Sequence, residues 1–572
     1  MSLRSDRWVR GDDEVALDAR VALRMGGADV QAAGGRPIVG IANSASDLNP
    51  CNQPLDALVE TIKDGVAEAG GVAVEFPVMS LGEDLMKPSS MLYRNLLAIE
   101  LEESLRSQPL DAVIVLAACD KSVPGALMGA FSTNLPTLLV VSGPRPVATF
   151  EGRRVGTGTD LWRLWDERRA GTLSDERWAE LEAALTLGKG TCNTMGTAST
   201  MGAICEAIGL AWPGSTSMPA GDPRHVDVAR RIGARSVALV NEGATATSQI
   251  SADALENALV LLSALGGSTN AVIHLTAMAR RLGHDLTLAD VDRVSRSTPV
   301  LVDVEPSGTA LMEDLDGAGG VPTILRALGE LLHLDVLLAD GTTTKELQAR
   351  ARDTNGVVHS LSDPVDASGA FRVVRGNVAP EGALIKRSAA TVSLLTHRGP
   401  AYVIEGYDEI APRTGPTAQC PDDAVLVLRG VGPVGGPGMP EWGMIPIPEQ
   451  LLARGVTDMV RVTDARMSGT SYGTVFVHAA PESEVGGVLG LVRDGDMIRV
   501  DAEAGEIELE VADEELSLRA MSWRPSHAAG ARGYVELYRR HVTQAPDGCD
   551  FDFLAQPRGQ TPRLVEPIVG RS

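Results

Sequence analysis

The first two thirds of the chain alternates short apolar, β-branched runs with longer amphipathic stretches. The apolar runs have the length and composition of buried strands and cover residues 37–42, 112–116, 138–141 and 236–240. Residues 55–69 instead repeat apolar positions at helical spacing, and the charged residues 162–187 have the pattern of a helical surface excursion. Strands that alternate with helices predict a parallel sheet with helices on both faces, a three-layer α/β arrangement.

The pattern of apolar and polar residues changes after Gly376. From there on, glycine- and proline-rich loops separate strand-like segments in which apolar and polar residues alternate. These segments cover residues 424–428, 459–462, 497–500 and 506–511. They predict a smaller, β-rich second domain of a barrel-like or swivelling β/β/α type. We therefore expect an α/β domain at residues 1–375 that carries the cysteine loops. A β-rich domain at residues 376–572 would carry Glu441 and Ser468.

Composition narrows the class of protein. The chain has 572 residues, of which 44% are hydrophobic, and this is enough for two or more domains with buried cores. Its 75 acidic and 51 basic residues give a net charge of −24, which disfavours nucleic acid and anionic membranes as partners. The longest apolar runs fall short of the ~20 residues of a membrane helix. Six cysteines are too few for a disulfide scaffold, and residues 1–33 lack a secretory signal pattern, so we expect a cytoplasmic protein with reduced thiols.

Three cysteines lie in separate loops that adjoin predicted strands or a helix start: Cys51, Cys119 and Cys192. In open α/β sheets, ligands bind beyond the carboxyl ends of the strands, and Cys51 and Cys119 lie just past two such ends. Cys192 precedes a helix start, where the helix dipole favours a thiolate. Three soft thiolates suit an iron–sulfur cluster or zinc. A single buried cysteine is more often an apolar filler, and we interpret the other three cysteines in that way.

Several acidic residues adjoin these loops or follow other predicted turns. Asp120 and Lys121 directly follow Cys119, and Glu83 ends the segment SLGE. Glu441 follows the loop GVGPVG, which matches the dinucleotide pattern GxGxxG, but the glycines and prolines at 436–440 forbid the helix that a dinucleotide site needs. One such carboxylate is usually a solvated charge, whereas several together would supply the oxygen ligands that Mg²⁺ prefers.

Ser468 lies in the segment TDARMSG at residues 463–469, which follows a predicted strand. A sharp turn there would project its hydroxyl. The GxSxG pattern of hydrolases is absent and no histidine is identifiable as its base, so a Ser-His-Asp triad has little support. The simpler interpretation is a turn serine that bonds its own backbone.

Taken together, these motifs resemble those of the dihydroxy-acid and sugar-acid dehydratase family, and the likeness covers nearly the whole chain. The shared segments are NPCN at 49–52, CDKSVPG at 119–125, TCNTMG at 191–196, GGSTNA at 266–271, GNVAP at 376–380 and TDARMSG at 463–469. The finer details are similar to the aldonic-acid branch: SLGE at 80–83, KPSSMLYR at 87–94, ARMSGT at 465–470 and GCDFDFL at 548–554. The branched-chain branch typically has GRFSGG at the serine loop, and this chain does not.

The resemblance implies the residues of the site. Cys51, Cys119 and Cys192 would hold a [2Fe–2S] cluster, although some family members carry [4Fe–4S]. A Mg²⁺ ion would be held by four groups: Glu83, Asp120, Glu441 and a carbamylated Lys121. Ser468 would act as an alkoxide base in the dehydration of a pentonate or hexonate to a 2-keto-3-deoxy acid. Related enzymes are homodimers or homotetramers.

Two alternatives stay open on the sequence. Within the family, the chain could dehydrate the 2,3-dihydroxy acids of branched-chain amino-acid synthesis, and the polarity of the pocket beyond C3 would distinguish the two. Outside the family, the same three thiolates could serve a zinc-binding or redox-sensing protein. Iron and zinc analysis would separate that class from a dehydratase.

Overall fold

The computed structural model describes residues 3–30, 35–526 and 532–570. Its N-terminal region contains a four-stranded parallel sheet with strand order β2-β1-β3-β4. The strands are β1 (Ile38–Asn43), β2 (Val72–Pro77), β3 (Ala112–Leu116) and β4 (Thr137–Val140). The two central strands, β1 and β3, are buried along their whole length, as expected of continuous apolar runs in a parallel sheet. The parallel sheet predicted from the sequence is confirmed.

Helices connect the strands of this sheet, and further helices lie before it, after it and in the C-terminal region. They are α1 (Asp6–Val9), α2 (Glu14–Met25), α3 (Val59–Glu68), α4 (Arg94–Ser107), α5 (Ser122–Thr133), α6 (Thr159–Arg169), α7 (Asp175–Leu185), α8 (Thr197–Ala207), α9 (Arg224–Glu242), α10 (Ala246–Gln249), α11 (Ala252–Ala264), α12 (Asn270–Arg281), α13 (Leu288–Ser297), α14 (Met312–Gly317), α15 (Gly320–Leu328), α16 (Thr344–Arg350), α17 (Ile410–Thr414), α18 (Glu449–Leu452), α19 (Asp513–Ser522) and α20 (Tyr534–His541). Every residue of α5 is buried, and this helix begins directly after Lys121. None of the described helices is long and apolar enough to cross a membrane.

One predicted strand is wrong: residues 236–240 lie inside helix α9. The buried residues of α9 recur at helical spacing, for example Val228, Ile232, Ser236 and Val240. A five-residue apolar run cannot be distinguished from a buried helix segment by its own pattern, and the flanking turns of helix decide the outcome here. The excursion at residues 162–187 is helical as predicted and forms most of α6 and α7.

The C-terminal region forms a closed eight-stranded barrel with strand order β10-β11-β12-β8-β7-β14-β13-β9. Its strands are β7 (Phe371–Gly376), β8 (Ala379–Lys386), β9 (Thr396–Glu405), β10 (Val425–Arg429), β11 (Arg461–Thr463), β12 (Val475–Ala480), β13 (Met497–Asp501) and β14 (Glu506–Leu509). A separate hairpin, β5 (Ala148–Phe150) with β6 (Arg153–Val155), precedes α6. The β-rich second region is therefore confirmed.

The end of the chain returns to the N-terminal helices. Arg94, which is fully buried in α4, donates hydrogen bonds to the carbonyl oxygens of Gly548 at 2.8 Å and Cys549 at 2.9 Å. Arg281 of α12 forms a buried ion pair with Asp550, with Nε and Oδ2 2.6 Å apart. These contacts fix residues 548–550, which follow α20, against helices α4 and α12 of the N-terminal region.

Candidate metal centre and active site

The loops of Cys51 and Cys119 lie at the carboxyl ends of two adjacent strands, β1 and β3, and one asparagine joins them. The Asn52 Oδ1 atom accepts hydrogen bonds from the backbone N–H groups of Ala118 at 3.0 Å and Cys119 at 2.9 Å. The Asn52 amide donates to Ser122 Oγ at 3.0 Å. Neighbouring parallel strands end at the same edge of a sheet, so the two thiols lie together.

A backbone hydrogen bond brings the loop of Cys192 next to the loop of Cys51. The Gly190 N–H donates to the carbonyl oxygen of Pro50 at 3.0 Å, next to Cys51. The three thiols are close enough to influence one another's ionisation: Cys51 disfavours the charged form of both Cys119 and Cys192. The contact with Cys51, together with burial, raises the pKa of the Cys119 thiol, and burial raises that of Cys192 to about 12. Thiols in this setting ionise when a cation compensates them, as a metal centre does.

A second cluster surrounds the amino group of Lys121, which is fully buried at the start of α5. Its Nζ atom contacts a carboxylate oxygen of Asp120, lies 2.7 Å from Glu441 Oε1 and lies 3.5 Å from Glu83 Oε2. Cys119 Sγ is 3.5 Å from Asp120 Oδ1, so the thiols and the carboxylates are neighbours. The structure thus brings all the predicted ligand residues into one region.

The charges of this cluster are strongly coupled. Burial and Arg466 act to lower the pKa of Lys121, but attraction by the three carboxylates outweighs them and raises it. Burial, with repulsion from Glu83 and Glu441, raises the pKa of Asp120 to about 6. Burial acts in the same direction on Glu441, but Lys121 and Arg466 outweigh it and lower that pKa to about 2. Glu441 is therefore held in its ionised form more firmly than Asp120.

Two residues that hold Glu441 were missed by sequence reasoning. Arg466 Nη1 and Asn270 Nδ2 each donate to Glu441 Oε1 at 2.7 Å. Arg466 also donates to Ser89 Oγ at 2.9 Å, which links the serine loop to the loop of Glu83. Both residues lie inside motifs that support the family resemblance, and this was the available signal for them.

Ser468 is half-buried on a loop that packs against the rest of the site. Its Oγ atom lies 3.0 Å from Thr470 Oγ1. A Cβ atom on Gly469 would lie 2.6 Å from the backbone nitrogen of Thr197 and 2.7 Å from Ser268 Oγ, so this loop requires glycine to approach so closely. Thr197 begins α8, directly after the Cys192 loop, and the serine loop is therefore anchored beside both clusters.

The N–H groups of the glycine-rich loop before Glu441 bind a carboxylate of this same chain. The backbone N–H groups of Val434 and Gly435 donate to the Glu482 carboxylate at 2.8 and 2.9 Å. The next helix, α18, begins only at Glu449, so this loop does not present a helix N-terminus to a pyrophosphate. The rejection of a dinucleotide site is consistent with this geometry.

The donor sets fit the two metals that the resemblance implies. Three carboxylates that converge on one buried positive charge are hard oxygen ligands of the kind that Mg²⁺ takes, while three convergent thiols are soft ligands for iron. Among the described residues, no group of three or more acidic, cysteine or histidine side chains is already arranged in ligating geometry. The Lys121 ammonium stands among the carboxylates instead.

A parallel α/β sheet, a closed barrel and a serine loop beside thiols and carboxylates are the features to compare with known proteins. The chain belongs to the dihydroxy-acid/6-phosphogluconate dehydratase family, whose N-terminal model matches residues 36–347 and whose C-terminal model matches residues 356–549. Dehydratases of this family use iron–sulfur clusters and Mg²⁺. The predicted family is confirmed, and the zinc-binding or redox-sensing alternative loses its support.

Named relatives point to the same branch as the motifs. The chain is 42% identical to L-arabinonate dehydratase of Rhizobium leguminosarum bv. trifolii, over 97% of both chains. It is 44% identical to 6-deoxy-6-sulfo-D-gluconate dehydratase of Pseudomonas putida, over 96% of both. Identity to dihydroxy-acid dehydratase of Ruminiclostridium cellulolyticum is 34%, over 90% of this chain and 94% of the relative. The predicted likeness to the aldonic-acid branch is confirmed.

Proposed function

We propose that this protein dehydrates an aldonic acid, a pentonate or hexonate, to the corresponding 2-keto-3-deoxy sugar acid. The observation that carries the proposal is the convergence of three thiols, three carboxylates with Lys121, and Ser468 in one region. The higher identity to the two sugar-acid dehydratases than to the branched-chain enzyme favours a sugar acid over a 2,3-dihydroxy acid with an apolar tail.

In the proposed reaction, Ser468 removes the proton from C2 of the substrate. The C2–H electron pair forms the C2–C3 double bond, and the C3–O bond breaks. The departing hydroxide and the abstracted proton make water, and the resulting enol tautomerises to the 2-keto acid. When bound, Mg²⁺ and the cluster would supply the positive charge that favours loss of the C2 proton, departure of the C3 hydroxide and the alkoxide form of Ser468.

Four side chains would hold the Mg²⁺ ion: Glu83, Asp120, Glu441 and Lys121 as its carbamate. Carbamylation would turn Lys121 from a cation among three carboxylates into an anionic oxygen ligand, and a metal would then supply the charge that the ammonium supplies here. Arg466 and Asn270 donate to Glu441 Oε1 at 2.7 Å each, the same oxygen that Lys121 contacts, and so hold this carboxylate in place. Cys51, Cys119 and Cys192 would hold the cluster, for which we propose the [2Fe–2S] form.

The role of Ser468 is tested by replacing it with alanine. We expect Ser468→Ala to retain iron, sulfide and Mg²⁺ at wild-type levels and to lose turnover by about 10³-fold, the range that general bases contribute. Metal analysis and product formation are measured on the same preparation.

Ser471→Ala is the matched control. Ser471 is buried on the same loop, and its Oγ has no hydrogen-bond partner among the described residues, so its loss should cost little. Turnover by Ser468→Ala within about tenfold of the wild type would remove Ser468 from the mechanism.

A further inference from the structure

The segment that follows β4 joins the loops of two of the proposed cluster ligands. Ser142 Oγ donates to the carbonyl oxygen of Cys51 at 2.7 Å. The Thr191 N–H donates to the Gly143 carbonyl at 2.9 Å, and the Arg145 N–H donates to the Thr191 carbonyl at 2.9 Å. The backbone of this segment is therefore fixed between Cys51 and Cys192.

Gly190 makes this close approach possible. Its φ is +129°, and a Cβ atom at this position would lie 2.7 Å from the backbone nitrogen of Arg145. An L side chain would be strained there and would also collide with Arg145, so only glycine suits the position. The position of Arg145 is thus set by backbone geometry, before any contact of its side chain.

The Arg145 side chain is held next to the thiols by this backbone pairing. Burial opposes its charge, and the attractions that favour the charge come from Cys192, Cys51 and Asp84, in that order. Its Nε atom is buried and has no hydrogen-bond acceptor among the described residues. A half-buried guanidinium with a spare N–H group beside two sulfurs is suited to a partner that adds further negative charge and acceptors.

We propose that Arg145 is a positioning residue of the iron–sulfur cluster, donating N–H groups to its sulfurs and raising its reduction potential. This inference rests on the proposed function, because it requires that Cys51 and Cys192 hold the cluster. Hydrogen bonds and positive charge near the sulfurs stabilise the reduced cluster, which carries one more electron. By withdrawing electron density from the sulfurs, Arg145 would also strengthen the Lewis acidity that the cluster would supply at the substrate hydroxyl.

The test is the midpoint potential of the cluster, measured by anaerobic dithionite titration of the reconstituted full-length protein with electron paramagnetic resonance detection. We expect Arg145→Met to shift the potential to more negative values at unchanged iron and sulfide content. Arg145→Lys, which keeps the charge, should lie between this variant and the wild type. Lys189→Met is the control, because it removes an exposed positive charge from the approach to the Cys192 loop and should leave the potential unchanged.

The outcomes are distinguishable. An unshifted potential in fully loaded Arg145→Met would overturn the role of Arg145 and leave the proposed function intact. If that variant failed to fold, Arg145→Gln would replace it, since glutamine stays polar but loses the charge and most of the N–H donors, and an unshifted potential there would equally contradict the inference. A wild-type protein that bound no iron–sulfur cluster would overturn this inference and the proposed function together.

Discussion

At the scale of single residues, Glu441 and Asp120 both contact the buried Lys121 but have pKa values that are shifted in opposite directions. Both carboxylates contact Lys121, but only Glu441 also contacts Arg466. As a result, the pKa of Glu441 is lowered in spite of burial, whereas that of Asp120 is raised by burial and its acidic neighbours. The two groups therefore have different roles in the absence of metal: Glu441 stays ionised, and Asp120 is the more readily protonated.

Site residues of a distinctive type, such as cysteine, can be predicted from the sequence, whereas site residues of common polar types cannot. Cysteines and acidic residues at predicted strand ends can be recognised as candidate ligands from their type and position. Asn52, Asn270 and Arg466 are ordinary polar residues, and their importance depends on contacts across long stretches of sequence, such as Asn270 with Glu441. Only a structure supplies such contacts.

Lys386 gives a pH-dependent prediction. It is 1% exposed at the end of β8, its Nζ has no hydrogen-bond partner among the described residues, and burial lowers its pKa from 10.5 to about 7. Between these two values the unfolded chain binds a proton that the folded chain does not, so this residue makes stability rise with pH. We expect Lys386→Met to be more stable than the wild type at pH 7, by a few kcal/mol at about 1.4 kcal/mol per pKa unit.

The measurement is the urea unfolding midpoint of both proteins at pH 7 and at pH 9.5. The advantage of Lys386→Met should shrink at the higher pH, because the unfolded lysine then loses its proton as well. Lys345→Met, at an exposed position, is the control and should show no such change. An advantage that is equal at both pH values would contradict the assignment of an uncharged buried amine.

At the scale of elements, helices α3 and α9 approach each other through glycines. A Cβ atom on Gly65 of α3 would lie 2.0 Å from the carbonyl oxygen of Arg230, and one on Gly233 of α9 would lie 2.4 Å from that of Ile62. Both obstacles are backbone atoms, which cannot move without separating the helices.

We expect Gly65→Ala to lower the free energy of unfolding by about 3 kcal/mol, the upper range for overpacked sites. Gly317→Ala is the matched control: it lies at the end of α14, where an added Cβ meets no described atom within 4 Å. Thermal unfolding of both variants is compared with the wild type. An unchanged Gly65→Ala would show that the two helices have room to separate.

At the scale of the whole molecule, the sequence predicted the two kinds of architecture but could not predict the closure of the barrel. Alternation identified the strands near 424–428, 497–500 and 506–511. Closure depends on pairs that are distant in sequence, such as β12 with β8 and β14 with β7, and local pattern carries no information on such pairs. The contacts of residues 548–550 with α4 and α12 also join segments that are distant in sequence, so the local pattern does not predict them either.

The most direct test of the proposed function is product formation by the anaerobically purified, iron-loaded protein with Mg²⁺. Pentonates, hexonates and 2,3-dihydroxyisovalerate are supplied side by side, and the 2-keto products are separated and quantified. We predict that a 2-keto-3-deoxy sugar acid is the preferred product and that its precursor identifies the substrate stereochemistry. Preferential formation of 2-ketoisovalerate would contradict the aldonic-acid assignment, and no product from a verified cluster-loaded protein would contradict the proposed dehydration itself.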